Sequence, residues 1–229
     1  MPKFNVVVCV PSTGQCKAQF AYSLARMVAY FAQHPIYPDV EEQNLEIRFL
    51  EGSGISANRE KLINDALALE DMTHVLFIDE DMGFQPNVLH ILASRRQSIV
   101  ACNYRMRVPP SPFTALAMDT KRRIETVADN HGLEEAYYTG FGFALIERKV
   151  FEAVKGPRFP LFWNEVTQTY TTEDHPFFVK AREKGFPCYV DHNASRQVWH
   201  HGSINYCWQE SYETLNQHFK AYEGDTDGK

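Results

Sequence analysis

Val75-Leu76-Phe77-Ile78-Asp79-Glu80-Asp81-Met82-Gly83 is an apolar run that stops at three consecutive acids. Counted from His74, the run predicts a strand buried on both faces, as in the interior of an α/β sheet. Open α/β sheets bind ligands at the C-terminal ends of their strands, which is where these acids fall. Asp79 and Asp81 alternate and so can project to one side. Hard oxygen donors of this kind suit magnesium or manganese bridging a diphosphate. An isolated Asp-x-Asp is more often a solvated turn, and the strand-end position is what gives this one weight.

Upstream, residues 4–10 read as a buried strand ended by Pro11-Ser12-Thr13-Gly14. Residues 18–33 repeat Phe20, Leu24, Met27, Val28 and Phe31 at helical spacing and are closed by Pro35 and Pro38. A strand over 45–50 leads through Gly52-Ser53-Gly54 into a helix capped by Ser56 and running to Leu69. Downstream, Pro86 opens a short helix to Ser94, and 99–103 reads as a fourth strand. Four strand-helix alternations predict a parallel sheet in an α/β fold. Beyond Asn103 the pattern is mixed. Residues 105–112 are basic and proline-rich, and the runs 114–118 and 124–127 look antiparallel. Residues 136–146 enclose Gly140-Phe141-Gly142, a helix starts at Arg148, and another starts near Glu173. We read residues 1–222 as a single domain with halves 1–103 and 104–222, and 223–229, all polar or glycine, as a fraying tail.

With 44% hydrophobic residues, 229 residues can bury one large core. A net charge of -6 supplies no general basic field for nucleic acid, so a polyanion would have to be held locally. Cys9, Cys16, Cys102, Cys188 and Cys207 are scattered and odd in number, which indicates neither a disulfide framework nor a cysteine zinc site and fits a reducing cytosol. No apolar stretch approaches the roughly 18 residues of a membrane span, so a soluble, cytoplasmic chain is expected.

Three further groups bear on chemistry. His200-His201, before Gly202, can add an imidazole to the acids, although such a pair alone is usually packed structure. Glu173-Asp174 opens a helix, where carboxylates are ordinarily dipole partners, but Asp174 can also serve as a base. Arg59 can reach a phosphate or nucleobase from the start of the second helix. Gly52-x-Gly54-x-x-Ala57, with Asp79 ending the next strand, also fits a dinucleotide-binding unit loosely and keeps an NAD-dependent dehydrogenase open.

In chain order, Pro11-Ser12, Ser56-Ala57-Asn58-Arg59, Leu76-Phe77-Ile78-Asp79-Glu80-Asp81, Thr139-Gly140-Phe141-Gly142-Phe143, Thr172-Glu173-Asp174 and Trp199-His200-His201-Gly202 resemble the GT-A glycosyltransferases, particularly family-two-like enzymes of the compact phage-encoded type. The resemblance implies a Rossmann-like GT-A fold with a mixed central sheet and a hexosyltransferase using a nucleotide-sugar donor, UDP-glucose or a similar UDP-sugar. It implies Pro11, Ser12 and Arg59 around the nucleoside, Asp79 near ribose and metal, Glu80 as the variable middle acid of the donor site, and Asp81 as a Mn2+ or Mg2+ ligand. His200 would complete the metal site, with His201 second in rank, and Asp174 would be the base of an inverting reaction; retaining enzymes share the fold. It also suggests an acceptor, 5-hydroxymethylcytosine in viral DNA, inside an infected bacterial host. Arg105, Arg107, Lys121, Arg122 and Arg123 would then form a phosphate-contacting rim, and Phe162 or Trp163 would stack on a flipped base. A glycan, lipid or small-molecule acceptor, and a non-catalytic sugar-binding module, stay open.

Overall fold

The structure, a computed structural model, describes residues 2–52, 54–107, 110–165, 168–170, 172–202 and 205–206. The first half runs β1 (Lys3–Ser12), α1 (Ala18–Gln33), β2 (Glu42–Glu51), α2 (Ile55–Leu67), β3 (His74–Ile78), β4 (Met82–Phe84), α3 (Val88–Ser94) and β5 (Ile99–Ala101). The second runs β6 (Leu116–Ala117), β7 (Leu133–Tyr138), β8 (Phe143–Glu147), α4 (Arg148–Ala153), β9 (Trp163–Asn164), β10 (Thr169–Tyr170), α5 (Asp174–Glu183), β11 (Cys188–Asp191), α6 (His192–Ser195), β12 (Val198–His201) and β13 (Asn205–Tyr206). The end of the expected domain, the tail and Cys207 lie outside the described residues. Among the described residues no helix is long and apolar enough to cross a membrane.

The period of two along β1 builds the core. Phe4, Val6, Val8 and Val10 join one apolar cluster with Phe20, Leu24, Met27 and Phe31 of α1. Val7 and Cys9 join a second cluster on the opposite face, with Leu62, Ile63 and Ala66 of α2. The helices take opposite faces because β2 and β3 flank β1 on either side, in the order β2-β1-β3, and right-handed crossovers in opposite directions cover opposite faces. These three strands are parallel, as the alternation predicts.

The expected fourth strand, β5, runs in the same direction but does not pair with β3. β8 enters between β3 and β5 and is antiparallel to both, giving an eight-stranded mixed sheet in the order β2-β1-β3-β8-β5-β11-β7-β6. Its Phe143-Ala144-Leu145-Ile146 segment is buried throughout, which suits an interior position. Residues 136–146 are therefore two strands separated in the sheet by β5 and β11, joined through the Gly140-Phe141-Gly142 turn. The run expected over 124–127 forms no strand; an antiparallel bridge between Leu116 and Arg123 closes that loop, with the Ile124 amide donating to the Ala115 carbonyl at 2.9 Å. Ser56 is not a cap: α2 begins at Ile55, and the Ser56 hydroxyl donates instead to the Phe159 carbonyl.

His74 opens β3 at the end of the strand away from the acids. Its ring packs on Phe4 with centroids 4.5 Å apart, and Nδ1 lies 2.8 Å from the Thr73 hydroxyl. Burial depresses its pKa to about 4, against a smaller opposing pull from Glu147. The unfolded chain takes up this proton near the ordinary histidine value and the folded chain only near 4. Stability from this group is therefore complete above about pH 6.5 and is lost as the pH falls through about 4. The loss is at most about 3 kcal/mol. Urea unfolding across that window should show His74→Gln losing less stability than wild type, and identical losses would remove His74 as the source.

Candidate active site at the strand ends

A cavity of about 360 Å³ opens where β1, β2 and β3 end. Pro11 and Ser12 line it from the end of β1 and Thr13 from just beyond, Gly52 from the turn before α2, Ile55 and Asn58 from the first turn of α2, and Asp79, Glu80 and Asp81 from the turn after β3. Arg107 and His200 complete the lining. The turn is closed by the Met82 amide donating to the Asp79 carbonyl at 3.0 Å, so the three acids leave a tight bend in different directions.

Glu80 turns back to β1. It accepts from the Ser12 hydroxyl at 2.5 Å, the Thr13 hydroxyl at 2.6 Å and the Thr13 amide at 2.9 Å. Burial would raise its pKa, but these three donors outweigh burial and hold the carboxyl below its usual value. Glu80 thus braces the cavity wall while remaining part of its lining.

Asp81 faces the small sheet of β4, β12 and β13, in which His200 pairs with Met82. Asp81 Oδ2 accepts from Arg107 Nη2 at 2.8 Å, and its carbonyl accepts from the His201 amide at 2.8 Å. His200 Nδ1 lies 2.9 Å from the Arg105 carbonyl, which can only accept, so Nδ1 carries a proton and Nε2 is the nitrogen turned toward Asp81. That nitrogen is 3.4 Å from Asp81 Oδ1, a buried oxygen with no hydrogen-bond partner. Deprotonated, Nε2 can share a divalent cation with that oxygen, and a backbone acceptor behind the imidazole is the usual support of a metal-binding histidine; protonated, it pairs with the carboxylate directly. Burial would raise the Asp81 pKa, but His200 and Arg107 outweigh it and hold the carboxyl below its usual value. His201, the next residue along the strand, is instead buried beneath Gly83, where an added Cβ would meet its Nε2 at 2.2 Å.

Asp79 is engaged elsewhere. Arg59, fully buried, donates to Asp79 Oδ1 at 2.7 Å and to Glu173, with its guanidinium over the rings of Phe141 and Phe77. Arg59 is therefore held below the cavity and is not among the residues that line it. Among the described residues no group of three or more His, Cys, Asp and Glu side chains is disposed to hold a metal, so Asp81 and His200 come together while Asp79 does not join them. Two protein ligands remain compatible with Mg2+ or Mn2+, which are commonly held by one or two side chains plus substrate phosphates.

Asp174, the first residue of α5, lies outside the cavity lining, next to Glu173. Burial raises its pKa; Asp79 adds to the effect, while Arg59 and a hydrogen bond from Thr172 oppose it. Tyr104, also buried, accepts the Gly142 amide at 2.8 Å and meets the His200 ring edge-on at 5.3 Å. The glycines at 140 and 142 permit this, since a Cβ there would fall 2.3 Å and 2.5 Å from the Tyr104 hydroxyl. Sequence reasoning missed Tyr104 and the Arg59–Glu173 pair, and grouped Arg107 with a basic surface stretch rather than with the acids.

No protein-family model matches the sequence, and no curated protein matches it. Among solved structures the chain is similar to A197 from STIV, with 17% identity, 87% of this chain and 86% of that chain covered, and a TM-score of 0.56. Looser superpositions are found with the inositol-1-phosphate CTP transferase from T. maritima (12% identity, 83% of this chain and 85% of that one, TM-score 0.45) and a nucleoside-diphosphate-sugar pyrophosphorylase from Vibrio cholerae (10%, 81% and 91%, TM-score 0.44). At these identities the likeness is one of fold, and the last two are too loose to carry an argument.

Proposed function

We propose that the chain is a GT-A glycosyltransferase that moves a sugar from a nucleoside diphosphate sugar to an acceptor hydroxyl. The supporting observation is the approach of Asp81 Oδ1 and His200 Nε2 to 3.4 Å in a cavity at the C-terminal ends of parallel strands. On this reading Asp81 and His200 hold Mn2+ or Mg2+, with Asp79 on the adjoining wall. When bound, the cation stabilises charge developing on the diphosphate leaving group. Pro11, Ser12 and Asn58 flank the nucleoside, and Glu80 keeps Ser12 and Thr13 in place. Arg59 holds Asp79, and Asp174 receives the acceptor proton.

The acceptor stays at the level of a hydroxyl. Besides Arg107, three of the five basic residues expected at a DNA-contacting rim also make contacts within the chain. Arg105 donates to the Ser111 carbonyl, Arg122 pairs with Glu134, and Arg123 donates to the Thr114 carbonyl.

Thermal unfolding tests the proposal with UDP, GDP, CDP and NAD, each with and without Mn2+. One nucleoside diphosphate, together with Mn2+, should raise the melting temperature by roughly 5–10 °C near a hundredfold excess over Kd. Asp81→Ala and His200→Ala should each abolish the metal-dependent part of that rise. Stabilisation by NAD with indifference to Mn2+ would overturn the reading.

A further inference from the structure

Among the described residues that line the cavity, Asp79, Glu80 and Asp81 are anionic and Arg107 is the one permanently cationic side chain. Asp79 is paired with Arg59, but a diphosphate entering beside Glu80 and Asp81 still meets like charge, which a further cation would offset. Arg107 is placed to supply that charge. Its Nη2 binds Asp81 Oδ2, on the opposite side of the carboxylate from the oxygen that faces His200. Its Nη1 makes a long 3.4 Å contact with the His201 carbonyl, which leaves other guanidinium N–H groups uncommitted by these two contacts. The side chain lines the cavity and is 44% exposed while paired with Asp81.

We propose that Arg107 is a phosphate-binding residue of this site, taking the terminal phosphate of a nucleoside diphosphate while Asp81 fixes its guanidinium plane. The inference rests on the donor reading above and deepens it. One carboxylate then organises both positive charges, the cation through Oδ1 and the guanidinium through Oδ2. Planar paired donors suit phosphate oxygens better than a point charge does, so lysine would be only a partial substitute.

The test is equilibrium binding to wild type, Arg107→Gln and Arg107→Lys, using Mn2+ alone, inorganic pyrophosphate with Mn2+, and UDP, GDP and CDP with their monophosphates. Arg107→Gln should lose roughly tenfold or more in affinity for pyrophosphate and for the bound diphosphate, and much less for the monophosphate. Arg107→Lys should fall between. Mn2+ alone should bind Arg107→Gln at least as tightly as wild type, because Asp81 loses a competing cation; a merely structural arginine would lower metal and phosphate affinity together. Equal losses for mono- and diphosphate, or no loss, would overturn the role of Arg107 and leave the donor reading standing. A wild type that binds none of the diphosphates overturns both.

Discussion

Replacing Arg59 with methionine is expected to lower the melting temperature by roughly 10 °C, the largest stability effect at this site. The guanidinium is 2% exposed and joins Asp79 and Glu173, whose side chains are 24% and 10% exposed. Removing one partner of a buried ion pair typically costs about 3–5 kcal/mol, because the partners left behind keep their desolvation penalty without compensation. Methionine keeps the apolar contact with Phe77 and Phe141, so the loss reports charge more than volume. The double variant Arg59→Met with Glu173→Gln should regain most of it, since less charge is stranded. Thermal or urea unfolding of wild type and the two variants decides this. A single variant within about 1 kcal/mol of wild type would show that the pair contributes little.

Arg59 also shows what the sequence hides. A helical arginine beside a diphosphate site reads as a ligand contact, because phosphate and carboxylate are recognised by the same planar donors. Only the packing of α5 against the sheet brings Glu173 to Arg59, 114 positions away along the chain. The three acids make the same point. Alternation suggests that Asp79 and Asp81 share a side, but the bend after β3 sends Asp79 to Arg59, Glu80 to Ser12 and Thr13, and Asp81 to Arg107 and His200. Local signals served best where the period was regular. β1, α1 and β3 were legible because alternating or helical apolar spacing dictates which faces are buried, and parallel β2-β1-β3 pairing followed from the intervening helices. The antiparallel insertion of β8 left no local trace, since a fully buried strand looks the same whichever way its neighbours run. The distinction between His200 and His201 likewise rests on register, with His200 opposite Met82 and the alternate residue turned under Gly83.

Asp174→Asn is expected to lower turnover by roughly 10²-fold or more, the scale for losing a positioned base, while leaving nucleotide affinity unchanged. Burial raises the pKa of Asp174, with Asp79 adding to it, and Arg59 only partly offsets them. A raised pKa makes the carboxylate a better proton acceptor and also makes its ionised form a liability to the fold. Stability and activity should therefore move in different directions. The amide removes a charge that burial disfavours, so the melting temperature should stay level or rise even as the reaction slows. Turnover is read as nucleoside diphosphate released from the nucleotide sugar, in parallel with thermal unfolding and nucleotide binding on the same preparations. A variant that loses stability and nucleotide affinity together with rate would make Asp174 a structural partner of Arg59, and unchanged turnover would require a different group to take the acceptor proton. If turnover does fall, product configuration supplies the final discrimination: inversion at the anomeric carbon fits a base that activates the acceptor for direct displacement, and retention excludes that single-displacement role.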